Sequence, residues 1–249
     1  MDKLLVQNKT NEIITNENIN KTEELDYASM ILDEQFTELT NKLIKYIEEN
    51  PSSTDYEQND FFKQLILDNY DEEAITLQKK YVKSPRYDYA DKLPVVSSLL
   101  GPTEKQVFNS NVAKGALCLN YAAAAEEMTE KTWYNTFGYH NDNGDAYRHA
   151  LWNAYTAHNC GSTYAKQFAD AHEKDFPNVP LENEMDLFNN SVGRTIGSKS
   201  YSGSNAAQVN NLIRLAVTDA VKQGQMKRFH GNDIGKLTYL TKTNSNGIK

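Results

Sequence analysis

Between Asn141 and Gly197 the sequence gathers side chains that can hold a cation or move a proton. They occur in three strings: NDNGDAYRHALWNAY from Asn141, ADAHE from Ala169, and MDLFNNSVGR from Met185. Asp145, His149 and Trp152 stand at i, i+4 and i+7, so a helix puts them on one stripe. Asp170 and Glu173 lie one turn apart with His172 between them, and Asp186, Asn189, Asn190 and Gly193 repeat the spacing further on. Inward-facing carboxylates and imidazoles from neighbouring helices are how helical bundles build metal sites.

This donor set suits one divalent ion. Imidazole with carboxylate favours zinc, iron or manganese, whereas calcium prefers an all-oxygen shell. The expected ligands are His149 and His172, joined by Asp145 or Glu173. The remaining carboxylate and Asp170 are expected to act as base or to orient the ligands. An ion with an open position activates water, and a spare carboxylate takes its proton, which is the chemistry of a hydrolase. Arg148 and Arg194 are the expected contacts for an anionic substrate, with Trp152, Asn189 and Asn190 lining its pocket. His140, His158 and His230 read as incidental.

Two other classes stay open. The same residues can form a buried hydrogen-bond network that fixes helix packing in a non-catalytic binding protein. Alternatively, His149 with Asp145 forms a metal-free acid–base dyad.

The elements that must position these groups are helices. Apolar residues recur at three- and four-residue steps over Glu24–Glu49, ending at Asn50-Pro51. Shorter helices are expected over Tyr56–Asn69 and Glu72–Val82, and a loop over Ser84–Leu93. Gly101-Pro102 then punctuates the chain. One long alanine-rich helix is expected over Glu104–Trp133, then a polar loop over Tyr134–Gly144. Helices follow at Asp145–His158, Ser162–Glu173, Glu184–Ile196 and Ala206–Gln223, with Gly161 stopping the first of these and Ser162 capping the second. Strand signals are nearly absent. The fold class is therefore all-α: a multi-helix bundle with a polar site between three consecutive helices. The organisation expected is a flexible arm over 1–23, a helical region over 24–100, a catalytic unit over 101–240 and a flexible tail over 241–249.

Composition narrows the partners. The chain has 249 residues and a net charge of −8, with 26 basic against 34 acidic residues. Lys227, Arg228 and His230 make only a brief basic spot, so a nucleic-acid footprint is not expected. Mean hydropathy is −0.69 and no run approaches the length of a membrane span. Cys118 and Cys160 are too few for a disulfide framework; they read as buried thiols in alanine-rich helices, with a single bridge between them as the alternative. The Asn/Thr/Glu-rich stretch 7–23 is of the kind that follows a secretion signal or an upstream domain, and the expectation taken from it is export or the cell surface.

Taken in order, Gly-Asp-Ala-x-Arg-His-Ala-x-Trp-Asn-Ala, Ala-Asp-Ala-His-Glu and Met-Asp-x-x-Asn-Asn-x-x-Gly-Arg look like an incompletely characterised bacterial domain. That domain is associated with secreted proteins and with the C-terminal ends of polymorphic and Rhs-type toxins. The resemblance covers about residues 104–197. Its matching positions run from Asp145, Arg148, His149, Trp152 and Asn153 through Asp170, His172 and Glu173 to Asp186, Asn189, Asn190, Gly193 and Arg194. It implies a helical, export-associated enzyme or toxin domain; the reaction expected here, hydrolysis of a phosphoester or another cell-envelope substrate, comes from the donor set and not from the resemblance. In the toxin setting it also implies an immunity protein.

Overall fold

In the computed structural model, which describes residues 34–70, 88–134, 139–230 and 239–249, helix α1 (Glu34–Glu49) buries Phe36, Leu39 and Leu43 on one stripe. It stops before Pro51, whose ring pushes the preceding residue out of helical dihedrals. Helix α2 (Asp55–Tyr70) opens on a capping box: the Thr54 amide donates to Glu57 Oε2 at 2.7 Å, and the Glu57 amide donates back to Thr54 Oγ1 at 3.3 Å. Tyr46 and Phe61 stack at 4.1 Å between the two helices. Residues 1–33 and the helix expected over Glu72–Val82 lie outside the described residues.

The loop expected over Ser84–Leu93 holds a helical turn, α3 (Tyr89–Lys92), because Asp88 Oδ1 caps the Asp91 amide at 3.1 Å. Helix α4 (Pro94–Leu99) follows, with proline in its first turn.

The single helix expected over Glu104–Trp133 is two: α5 (Pro102–Ser110) and α6 (Val112–Thr132). Asn111 between them is extended, and its Oδ1 accepts from the Lys114 amide at 3.0 Å. Asn59 Oδ1, from α2, accepts from the Val112 amide at 2.7 Å. Side-chain acceptors on the opening amides of α6 offset the backbone bonds lost at the break.

Helix α7 (Asn143–Cys160) is capped by Asp142, and α8 (Ser162–Asp175) begins immediately after Gly161. Gly161 has φ of +90° and serves as the last cap of one helix and the first of the next. Ser162, expected as the cap, is instead the first helical residue. Helix α9 (Pro180–Gly197) starts a turn earlier than expected because Pro180 sets its first φ. Helix α10 (Ala206–Lys222) is capped by Asn205.

One buried cluster takes in Phe36, Phe62 and Ile66 from the first helices and Leu119, Tyr147, Leu151, Phe168 and Val217 from the later ones. Strands β1 (Lys227–Phe229) and β2 (Leu240–Lys242) pair antiparallel, Lys227 opposite Lys242. Architecture is thus all-α apart from this short ribbon. The segment expected as a tail is fastened to the body: Asn143 Nδ2 donates to Asn244 Oδ1 at 2.8 Å and to the Asn246 carbonyl at 2.9 Å. The Lys249 amide reaches the Thr132 carbonyl at 2.9 Å. No described helix is long and apolar enough to cross a membrane.

Candidate metal centre

Two helices come together because one of them lacks side chains where they touch. A Cβ on Gly193 would stand 2.1 Å from the Ala150 carbonyl oxygen, and one on Gly197 would stand 2.1 Å from that of Ala154. Glycine on α9 and alanine on α7 let the two backbones meet, and this is the most extensive helix–helix contact among the described residues. Asp186 lies two turns before Gly193 on the same stripe of α9. The close approach therefore delivers it to His149, one residue before Ala150.

His149 Nε2 lies 3.4 Å from Asp145 Oδ1 and 3.6 Å from Asp186 Oδ1. One ligand atom from each of Asp145, His149 and Asp186 falls within 4.8 Å of the other two. No other described group of three or more His, Cys, Asp or Glu residues meets that spacing. All three are buried, the most exposed being His149 at 5%.

Electrostatics tie the three together. Burial works against the charged form of His149, but the carboxylates of Asp186 and Asp145 outweigh it and push its pKa up to about 10. Burial also opposes ionisation of Asp145, yet Arg148 and then His149 hold its carboxyl well below the usual carboxylate range. A proton on the imidazole thus balances the carboxylates, and a divalent cation placed among them would take over that role. Two carboxylates and one imidazole fit such an ion and leave part of its coordination sphere open to water or substrate.

The remaining expected residues distribute themselves differently. His172 is not in the centre: its Nδ1 lies 3.0 Å from Glu104 Oε1, on α5, and its ring meets Trp152 and Phe176. Glu173 accepts from Asn190 Nδ2 at 3.2 Å, and Asn190 Oδ1 accepts from Asn153 Nδ2 at 2.7 Å. Arg194 Nη1 donates to Asn153 Oδ1 at 2.9 Å. These four form a polar chain beside the centre, one turn along α7 and α9. Asp170 faces outward and pairs with Lys166. Arg148 is held between Asp145 Oδ1 at 2.8 Å and Glu126 Oε2 at 3.6 Å. Trp152 donates to the Cys118 carbonyl at 3.1 Å and packs edge-on against Phe168, as a core residue does. Asn189 clamps β1, accepting from the Lys227 amide and donating to the Lys227 carbonyl, both at 2.9 Å. The site expected between three consecutive helices draws its closest donors from two, α7 and α9, with α8 contributing Glu173 to the neighbouring chain.

Sequence reasoning gave no role to four participants. Asp186 was visible as part of a polar stripe but not as the partner of His149. Glu182 sits one turn before Asp186, a signal available from spacing alone. His140, expected to be incidental, lies with Nε2 2.8 Å from Glu182 Oε1. Asn141 links these groups: its Nδ2 donates to Glu182 Oε1 at 3.0 Å and its amide donates to Asp145 Oδ2 at 2.7 Å. By contrast, His158 contacts the Gly197 carbonyl at 3.2 Å and His230 stacks on Tyr239, both away from the three donors.

Residues 105–225 match the model of a family described as a domain of unknown function, DUF6973. The match encloses Asp145, His149 and Asp186 and runs from within α5 to just past α10, so an incompletely characterised domain is what this region resembles. Neither a curated protein nor a solved structure matches the chain.

Proposed function

We propose that this helical unit binds one divalent cation through Asp145, His149 and Asp186 and hydrolyses a phosphoester or another cell-envelope substrate. The observation that carries the reading is the convergence of one imidazole and two carboxylates, from two helices, within 4.8 Å. A cation there would polarise a phosphoryl or acyl oxygen and lower the pKa of a water. The imidazole in the donor set favours zinc or manganese over calcium. The motif order, which resembles domains of secreted proteins and of polymorphic toxins, supports an exported or surface setting. In a toxin it would bring an immunity protein as partner.

Metal analysis tests this. Purified protein dialysed against zinc or manganese should retain about one equivalent, whereas His149→Ala and Asp186→Asn should retain none. Equal metal content in all three proteins defeats the ligand assignment.

A second reading has an observation of its own. Asp145 already accepts from the Asn141 amide and from Arg148, and the Glu173–Asn190–Asn153–Arg194 chain continues the network through the bundle. In that reading the polar residues fix helix packing in a non-catalytic binding protein. It predicts the same loss of stability in His149→Ala with or without added metal.

A further inference from the structure

We infer that Asn141 sets the metal affinity of the Asp145–His149–Asp186 centre, by fixing which oxygen of Asp145 is turned toward the ion. This rests on the metal-binding reading above and on no particular reaction. The two carboxylate oxygens of Asp145 are held differently. Oδ2 accepts the Asn141 amide at 2.7 Å, whereas Oδ1 lies 3.4 Å from His149 Nε2 and accepts from Arg148 at 2.8 Å. With Oδ2 drawn onto the backbone, Oδ1 is the oxygen presented to a cation. The same residue reaches the other helix. Asn141 Nδ2 donates to Glu182 Oε1 at 3.0 Å, and Glu182 stands one turn before Asp186 on α9. One fully buried residue thus touches the ligand on α7 and braces the helix that carries the ligand on α9.

The backbone takes an uncommon conformation to do this. Asn141 has φ of +59° and Tyr139 has φ of +58°, a region that residues other than glycine rarely adopt and that asparagine tolerates best. Such conformations persist only where the surroundings enforce them, and they cluster at functional sites. Here the enforcement is visible. The Asn141 carbonyl accepts the Phe229 amide at 2.9 Å, and the Tyr139 ring lies 2.9 Å from where a Cβ on Gly144 would stand. Asn141 Oδ1 is left over, fully buried and without a hydrogen-bond partner among the described residues. Packing alone does not account for a buried acceptor kept in that way.

A group that hydrogen-bonds a ligating carboxylate aims it before the ion arrives, and losing such a group typically costs about 10–100-fold in metal affinity. Asn141 is therefore a positioning residue, acting on the ligand and not on the ion. Its amide survives any change of side chain. What a substitution removes is the tie to Glu182 and the preference for the left-handed turn that aims the amide.

Zinc dissociation constants of wild type, Asn141→Gly and Asn141→Ala are measured by competition with a chromogenic chelator, beside urea unfolding in EDTA. Glycine keeps the turn without steric cost and loses only the carboxamide, so Asn141→Gly should bind zinc about 10-fold more weakly. Alanine also disfavours the turn and should weaken binding about 100-fold. A packing role alone would lower the urea midpoints and leave the zinc constants of the folded proteins at the wild-type value; that result overturns the inference. Hydrogen exchange in wild type gives a second reading that needs no variant. The Asn141 amide should exchange slowly without metal and more slowly with zinc, and exchange as fast as in unstructured chain overturns its hold on Asp145. Wild type that binds no zinc overturns the metal reading as well, and so is told apart from a failure of Asn141 alone.

Discussion

The carbonyl oxygen of Ala150 occupies the space where a side chain on Gly193 would have to begin. Because the obstacle is backbone, no rotamer change relieves it, and Gly193→Ala must separate α7 from α9. The expected cost is about 1–3 kcal/mol or more in urea unfolding, with loss of metal retention because Asp186 moves with its helix. A Gly193→Ala protein that keeps both wild-type stability and its metal contradicts the packing described.

Metal should stabilise the folded protein in proportion to its binding. At a free concentration of 100 times Kd the gain is about 2.7 kcal/mol, read as a rise in the urea midpoint on adding zinc. Asp186→Asn should show no such rise.

The pH dependence of metal-free protein follows from His149. Its pKa in the fold, about 10, is above the ordinary 6.5, so the folded state binds that proton more tightly than the unfolded chain does. Its contribution is complete below about pH 6.5 and is lost as pH rises toward 10. Asp145 works in the opposite sense: lowered from 3.8, it stabilises above that value and ceases to as acid protonates it. Urea midpoints measured from pH 6 to 10 should fall in wild type and fall less steeply in His149→Gln.

Glu104 and His172 make a pair that stability should feel and metal binding should not. Glu104 is fully buried and also accepts from the Gly101 amide at 2.9 Å. Leaving a buried polar group without its hydrogen-bond partner typically costs about 1–3 kcal/mol. His172→Ala should therefore unfold at markedly lower urea while retaining one metal equivalent. Loss of the metal would return His172 to the ligand set.

Asn189→Ala removes both bonds to Lys227, at about 0.5–1.5 kcal/mol each. The sharper readout is local: the Lys227 amide, which now donates to Asn189 Oδ1, should exchange its hydrogen faster.

How far the sequence foretold this depends on chain distance. The stripe Asp145–His149 and the stripe Asp186–Asn190–Gly193 follow from helical periodicity, as do α1, α7 and α10, because each involves neighbours one turn apart. Which stripe meets which is decided elsewhere. His149 and Asp186 are brought together by glycines two and three turns beyond Asp186, and His172 finds Glu104 across 68 positions. No local pattern carries such pairings. Asn111 was hidden for a similar reason: a polar residue in an alanine-rich run looks like an exposed position until Asn59 supplies the missing acceptor. The ribbon of β1 and β2 was invisible because three-residue strands are too short to alternate.

Asn143, directly after the cap of α7, grips the chain near its far end through Asn244 and Asn246. It thereby makes the last few residues a buckle across the entrance to α7. Loosening that buckle, by trimming or by fusing bulk onto Lys249, would loosen the first turn of α7, which carries Asp145, without touching a single donor. The opening of this helix is thus fastened from about a hundred residues away.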